Sequence, residues 1–336
     1  MIDYSKTQHL IEAMVSERIV PGANYAFLNG RQVFTSTLGF SAIYPKLEQL
    51  SPFAIYDLAS LTKVLATENV LLHLYDQGKL NFSEKLADFV PDFTDRRITL
   101  QHLLTHTSGI RGWIPNRDQL SHDDLLKAIV NLPVTDEFNR KMRYADTNFI
   151  LLGLVIKAIY HQPVQTVSQH LLQEMGLKHA TFSPNPSECI PTALVDGKVL
   201  KGIPHDPKAR QLGPDCGSAG LFADMEDLIS FSQGILGQNL EVLPYSQQTV
   251  KQLFFDRTPS GVKPRAWGWD LRFDPADYHP VILHTGFTGT LIILDRQKQS
   301  GLILLTNRVH PTGHNTIFLA MRKRIIDTFL AENSKK

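Results

Sequence analysis

Ser60-Leu61-Thr62-Lys63 brings together two side chains of matching chemistry in this 336-residue chain. Residues three apart on a helix are neighbours, so the hydroxyl and the amine would lie side by side. A serine becomes a useful nucleophile only when something takes its proton, and a desolvated lysine can do so. A helix N-terminus adds partial positive charge and free N–H groups, which suit an oxyanion. The plain alternative is that Ser60 caps the helix and Lys63 is solvated. Average composition gives roughly one chance Ser-x-x-Lys match in a chain of this length, so spacing alone does not decide. Ser260-Gly261-Val262-Lys263 is an internal control. Pro259, Gly261 and Pro264 forbid a helix there, and serine and lysine would point apart.

Two further elements add to the first. Tyr144-Ala145-Asp146 opens an apolar helical run. A phenol beside an ammonium has its charged form stabilised and can act as a base; otherwise Tyr144 is a packed ring and Asp146 a helix cap. His284-Thr285-Gly286-Phe287 follows an apolar strand, and its small and polar residues would let a substrate backbone approach closely. Its bland reading is a strand end running into a turn.

Other constellations fail on inspection. His102 and His106 stand one turn apart, but Leu103 occupies the place of a metalloprotease glutamate, so both read as packing and capping groups. Cys216 replaces the first glycine that a nucleophile elbow at Gly217-Ser218-Ala219-Gly220 would need. No phosphate-cradling or dinucleotide-binding glycine pattern occurs, and no cofactor or metal is expected. Lys+Arg 34 against Asp+Glu 33 leaves no basic excess for nucleic acid. No apolar run is long enough to span a membrane. Cys189 and Cys216 are too few for a disulfide framework or a structural zinc site. The polar N-terminus lacks the pattern of a signal peptide, so the chain reads as cytoplasmic; an exported chain with its leader removed would read the same.

The elements that must hold these groups can be sketched from pattern. A helical period covers 5–19, and Asn29-Gly30 between two β-prone runs signals a hairpin. Helices are expected at 60–77, 99–106, 121–131, 146–160 and 164–175, then from Asp224, and at 315–331. Residues 180–217, with six prolines, read as a long loop. Strands are expected at Ala266–Phe273, Val281–His284, Thr290–Leu294 and Gly301–Thr306. This pattern predicts one α+β body with a helical insertion and an antiparallel sheet built from both termini. The α/β domain would comprise 1–80 and 218–336, and the helical domain 81–217.

Ser60-Leu-Thr-Lys63, Tyr144-Ala-Asp146 and His284-Thr-Gly286, in that order and spacing, resemble the serine β-lactamase and penicillin-binding protein superfamily. The likeness is greatest to the branch of class C β-lactamases, DD-peptidases and related esterases. It extends through Leu103–Gly109, Gly217–Ala223 and Leu304–Arg308. The resemblance implies a mostly antiparallel sheet flanked by helices, an inserted all-helical domain, and a site between them. It implies Ser60 as the acylated nucleophile, Lys63 as its base or proton shuttle, and Tyr144 as general base and acid. Asp146, His284, Thr285 and Gly286 would contact substrate, and the backbone N–H groups of Ser60 and Phe287 would form the oxyanion hole.

Two positions depart from the family pattern. Asp146 stands where relatives usually carry Asn, and His284 where many carry Lys. An ionised Asp accepts hydrogen bonds but does not donate, and it favours a charged lysine beside it. His284 exchanges a fixed cation for a group mostly neutral at pH 7. Both changes weaken recognition of a substrate carboxylate, and Asp146 would be free to pair with a substrate amine. The expected function is a serine hydrolase acting through an acyl-enzyme on esters or small amides. The alternatives are a penicillin-binding D-Ala-D-Ala carboxypeptidase or weak β-lactamase, and a non-catalytic sensor of the same fold.

Overall fold

The computed structural model describes residues 3–313 and 315–335. Three strands open the sheet: β1 (Gly22–Asn29), β2 (Gln32–Ala42) and β3 (Glu48–Gln49). Short strands follow at β4 (Tyr56–Asp57), β5 (Pro191–Val195), β6 (Lys198–Lys201) and β7 (Phe222–Ala223). The chain returns with β8 (Asp270–Phe273), β9 (Pro280–Thr285), β10 (Leu291–Asp295) and β11 (Ser300–Thr306). The seven-stranded antiparallel sheet has the order β3-β2-β1-β11-β10-β9-β8, so both ends of the chain build it. Asn29-Gly30 makes the β1–β2 hairpin turn, with Gly30 at φ 58°.

The central strands read as continuous apolar runs because both faces are covered. Alternate residues sort cleanly. Tyr25, Phe27, Leu302, Leu304, Leu291 and Ile293 pack under the Ser5–Ser16 and Thr316–Asn333 helices. Ala26, Leu28, Ile303, Leu305, Ile292 and Leu294 face the larger core shared with the remaining helices. The first helix has no side-chain cap of its own. Glu332 of the last helix serves instead, accepting from the Lys6 N–H at 2.9 Å and the Thr7 N–H at 3.0 Å.

Several expectations need correction. The strand expected from Ala266 begins only at Asp270, because Gly268 sits at φ 68° with the Glu68 carboxylate where a Cβ would stand. The helix expected over 60–77 has three parts: a 3-10 turn at Ala59–Leu61, a widened turn at Lys63–Thr67, and an α-helix at Glu68–Asp76. The Asn69 amide donates to the Val64 and Leu65 carbonyls across the widened turn. The segment 180–217 holds the β5–β6 hairpin and a helix, Pro207–Leu212, that the loop reading missed. Ser260 and Lys263 lie in turns outside any helix, with Lys263 paired to Asp270. Both cysteines are buried and free.

Candidate active site

The turn that presents Ser60 is built before the helix begins. Asp57, fully buried, accepts the Ala59 N–H at 2.8 Å on Oδ1 and the His205 N–H at 2.6 Å on Oδ2. Ala59 takes φ 46°, a conformation costly for a residue with a Cβ, immediately before the serine. The Gly217–Ala223 segment runs alongside. The Leu58 N–H donates to the Leu221 carbonyl at 3.0 Å, and Thr62 Oγ1 accepts the Leu221 N–H at 3.1 Å. Gly217 abuts the Phe149 carbonyl too closely for any side chain, so this glycine-rich segment is scaffold.

Lys63 is completely buried, and its Nζ donates three times: to Ser60 Oγ at 3.0 Å, Asp146 Oδ1 at 2.8 Å and the Ser218 carbonyl at 2.8 Å. An ammonium has three donors, and all three are used. Burial works against its charge, but Asp146 and Tyr144 outweigh burial and hold the lysine pKa above its ordinary value. Burial likewise opposes the charge of Asp146, and two cations overcome it, keeping its carboxyl well below the carboxylate range. The first is Lys63. The second is Lys208, whose Nζ lies 2.9 Å from Asp146 Oδ2 and 3.1 Å from Asp206.

That second cation corrects an expectation. Asp146 is no unmatched negative charge offered to a substrate amine, since a lysine holds each of its oxygens. Lys208 lies in the segment read as loop. Its signal was Asp206-Pro207, a capping residue followed by proline at the first helical position.

Tyr144 is 43% exposed, and its ring centroid lies 5.2 Å from Lys63 Nζ. The ring rests on His106 at 4.5 Å. His106 Nδ1 accepts from the Ala145 N–H at 3.4 Å and pairs with the Asn148 amide at 2.8 Å; Asn148 in turn accepts from Ser108. His106 therefore sets the Tyr144-Ala145-Asp146 turn, while His102 closes a capping box with Thr99.

His284 is buried near Tyr144 (ring centroids 6.2 Å) and edge-on to Trp269 (6.3 Å). Burial, with Arg265 and Lys63 adding, holds its pKa well below the ordinary value, so His284 is neutral at pH 7. β8 pairs with β9 only over Pro280–Leu283, which leaves the outer edge of His284 and Thr285 without a strand partner among the described residues. Gly286 packs so tightly on the Leu58 carbonyl and Thr290 that a Cβ would collide with both. Thr288 Oγ1 donates to the Asp57 carbonyl at 2.7 Å, so the Gly286–Thr290 turn is fastened to the Ser60 turn. Phe287 is held between His205 (stacked, 5.2 Å) and Arg308 (4.7 Å). The sequence reading missed buried Arg265, which donates to the Gly268 carbonyl at 2.6 Å, and Glu68, fully buried with its carboxylate against Gly268 and close to Arg265 and Trp269.

A serine beside a buried lysine, a tyrosine over that lysine and an open sheet edge together define a serine acyl hydrolase. The sequence model of the Beta-lactamase family matches residues 7–323, and the chain belongs to that family. It is 27% identical to the N-acetylmuramyl-L-alanine amidase of Bacillus subtilis, over 91% of this chain and 82% of that one. It is 25% identical to the putative D-alanyl-D-alanine carboxypeptidase of Escherichia coli K12, over 76% of this chain and 69% of that one. The class C β-lactamase of Rhodobacter sphaeroides superposes with a TM-score of 0.77 at 16% identity, covering 97% of this chain and 98% of that one. No described helix is long and apolar enough to cross a membrane.

Proposed function

We propose that Ser60 attacks the carbonyl of an ester or small amide and carries the acyl group, with Tyr144 as the proton acceptor. The observation that carries this reading is the saturated lysine. Lys63 Nζ spends its three hydrogens on Ser60 Oγ, Asp146 and the Ser218 carbonyl, so it has no lone pair with which to take a proton. Its charge instead steadies the Ser60 oxygen as the proton leaves toward Tyr144. To accept that proton Tyr144 must act as the phenolate, whose negative charge lies beside the same ammonium before the transfer and is neutralised by it. Tyr144 returns the proton to the leaving group, and the same steps with water release the acid. The Ser60 and Phe287 backbone N–H groups are the proposed oxyanion donors, and the fastening of Gly286 to Leu58 supports that role.

For the substrate, the reading favours an uncharged portion beside His284. That histidine is neutral and buried, and Asp146 is fully occupied. A second reading, hydrolysis of a D-alanyl peptide or a related amide, is favoured by the names of the two curated relatives. Intact-protein mass spectrometry after exposure to a fluorophosphonate, a nitrophenyl ester and a penicillin separates them. The expected result is an adduct with the first two, absent from Ser60→Ala and unchanged in Ser260→Ala. A penicillin adduct formed as fast as the ester adduct promotes the second reading. An adduct persisting on Ser60→Ala overturns the assignment.

A further inference from the structure

Four consecutive residues, His205-Asp206-Pro207-Lys208, touch all three parts of the site. The His205 N–H donates to Asp57, the carboxylate that also holds the Ala59 N–H before Ser60. The His205 ring stacks on Phe287 with 16° between planes. Lys208 grips the second oxygen of Asp146. The segment is itself rigid. Asp206 caps the Pro207–Leu212 helix by accepting the Ala209 N–H at 3.0 Å. Arg210 donates to both the Pro204 and His205 carbonyls at 2.8 Å.

Lys208 is the member with consequences for chemistry. Its side chain is 8% exposed, and it separates two carboxylates, Asp146 and Asp206. Without it, Asp146 would face another anion with only Lys63 to balance it. The carboxylate would then turn toward water or take a proton, and Lys63 would lose the partner that fixes its ammonium against Ser60.

We propose that His205–Lys208 is a fourth segment of the site in which Lys208 is a positioning residue: it acts on Ser60 through Asp146 and Lys63. The proposal rests on the reading of Ser60 as the acylated residue.

A double-mutant cycle tests it. Acylation by a nitrophenyl ester is followed by stopped flow in wild type, Lys208→Met, Asp146→Asn and the double variant, with circular dichroism confirming the fold. Lys208→Met should slow acylation by about 10–100-fold, the scale of a misplaced reacting group, with KM within about twofold. In the Asp146→Asn background the same change should cost less than about threefold, because the group it serves is gone. Lys208→Arg should recover most of the rate. Should Lys208→Met fail to fold, Lys208→Gln completes the cycle. Equal losses in both backgrounds, or no loss in wild type, overturns the proposal. Absence of any Ser60 adduct in wild type is a separate result that removes the underlying reading.

Discussion

Two buried polar clusters sit at opposite ends of the β9–β10 pair, and they differ in how their charges are matched. Along the edge formed by the strand ends away from Tyr144, His279 Nε2 meets Asp295 Oδ1 at 2.9 Å and its Nδ1 meets Asp277. The other oxygen of Asp295 accepts from Asn333 at 2.7 Å, and Lys298 pairs with Asp274 at 2.7 Å. Each of these groups is turned inward upon another. Beneath Tyr144, by contrast, His106 and His284 are held neutral by burial with the cations Arg265 and Lys63 nearby, and buried Glu68 lies by Arg265 and Trp269 without a salt bridge among the described residues. Burying titratable groups without a bonded opposite charge is costly, and functional sites are where such groups gather. The edge cluster is read as architecture, and the one beneath Tyr144 as chemistry.

Substitution should separate the two. Tyr144→Phe keeps the ring that rests on His106, so melting temperature should change little while turnover falls by about 10²–10⁴. Equal losses of stability and activity would return Tyr144 to the packing role. Asp295→Ala should behave in the opposite way. It strips His279 and Asn333 of a shared acceptor and should cost about 3–5 kcal/mol in urea unfolding, as broken buried pairs do. The initial rate per folded molecule should stay near wild type. A large, specific loss of turnover in Asp295→Ala would mean that the edge cluster is not merely architectural.

The clusters should also respond to pH with opposite sign. Burial alone would lower the pKa of His279, but Asp277 and Asp295 raise it above its ordinary value. Its stabilisation is complete below the unfolded pKa of about 6.5 and fades as pH rises through the folded one. His284 is held far below its ordinary value by burial, Arg265 and Lys63, so its contribution is present above about pH 6.5 and is lost as pH falls. Urea unfolding from pH 5 to pH 8 should therefore show His279→Gln costing most at the acid end. The stability of His284→Gln relative to wild type should improve toward the same end. Asp57, pushed up to about 6 by burial, titrates in this range too, but it is common to all three proteins and cancels. Parallel profiles for the two variants would show that the contrast in pKa has no thermodynamic weight.

How much of this was legible beforehand follows from distance along the chain. Ser60 and Lys63 are three residues apart, and Tyr144 and Asp146 two, so local geometry alone places each pair. The continuous apolar runs of β1, β10 and β11 likewise announce strands covered on both faces. Asp206-Pro207 signals the helix that carries Lys208 but not the partner Lys208 meets, and Glu68 gave no signal at all, because each matters through a residue dozens of positions away. Lys208 meets Asp146, and Glu68 fills the space beside Gly268. Gly268 also explains the misplaced start of β8. Trp267 and Trp269 alternate as a strand would, yet the carboxylate packed between them forces the backbone to positive φ. The charge of Asp146 was legible, but what balances it was not.

The smallest effect probes the oxyanion side of the chemical cluster. The peptide between Gly286 and Phe287 has its N–H on Phe287, the proposed oxyanion donor, and its carbonyl on Gly286. Arg322 Nη1 donates to that carbonyl at 3.1 Å from the outer helix, and Arg308 donates to the next carbonyl, that of Phe287, also at 3.1 Å. A charged donor on the oxygen of an amide draws electron density away from its N–H and makes it a better donor in turn. Removing an oxyanion donor outright costs about 10²–10³ in turnover. Polarisation along a hydrogen-bond chain alters each bond by roughly 10–30%, so losing Arg322 should cost about 0.2–0.9 of a decade, or roughly twofold to eightfold. Arg322→Met retains most of the aliphatic packing over Phe318 and removes only the charge. Turnover should fall by that factor with KM nearly unchanged, and Arg322→Lys should recover part of it. The infrared stretch of a carbon-13-labelled acyl carbonyl on Ser60 gives the independent reading. In Arg322→Met it should move to higher frequency, because a weaker donor polarises the carbonyl less. A rate loss without that movement would make Arg322 a packing residue. A loss near a thousandfold would mean that the turn itself had moved, and that the fastening of Gly286 to Leu58 depends on the arginine.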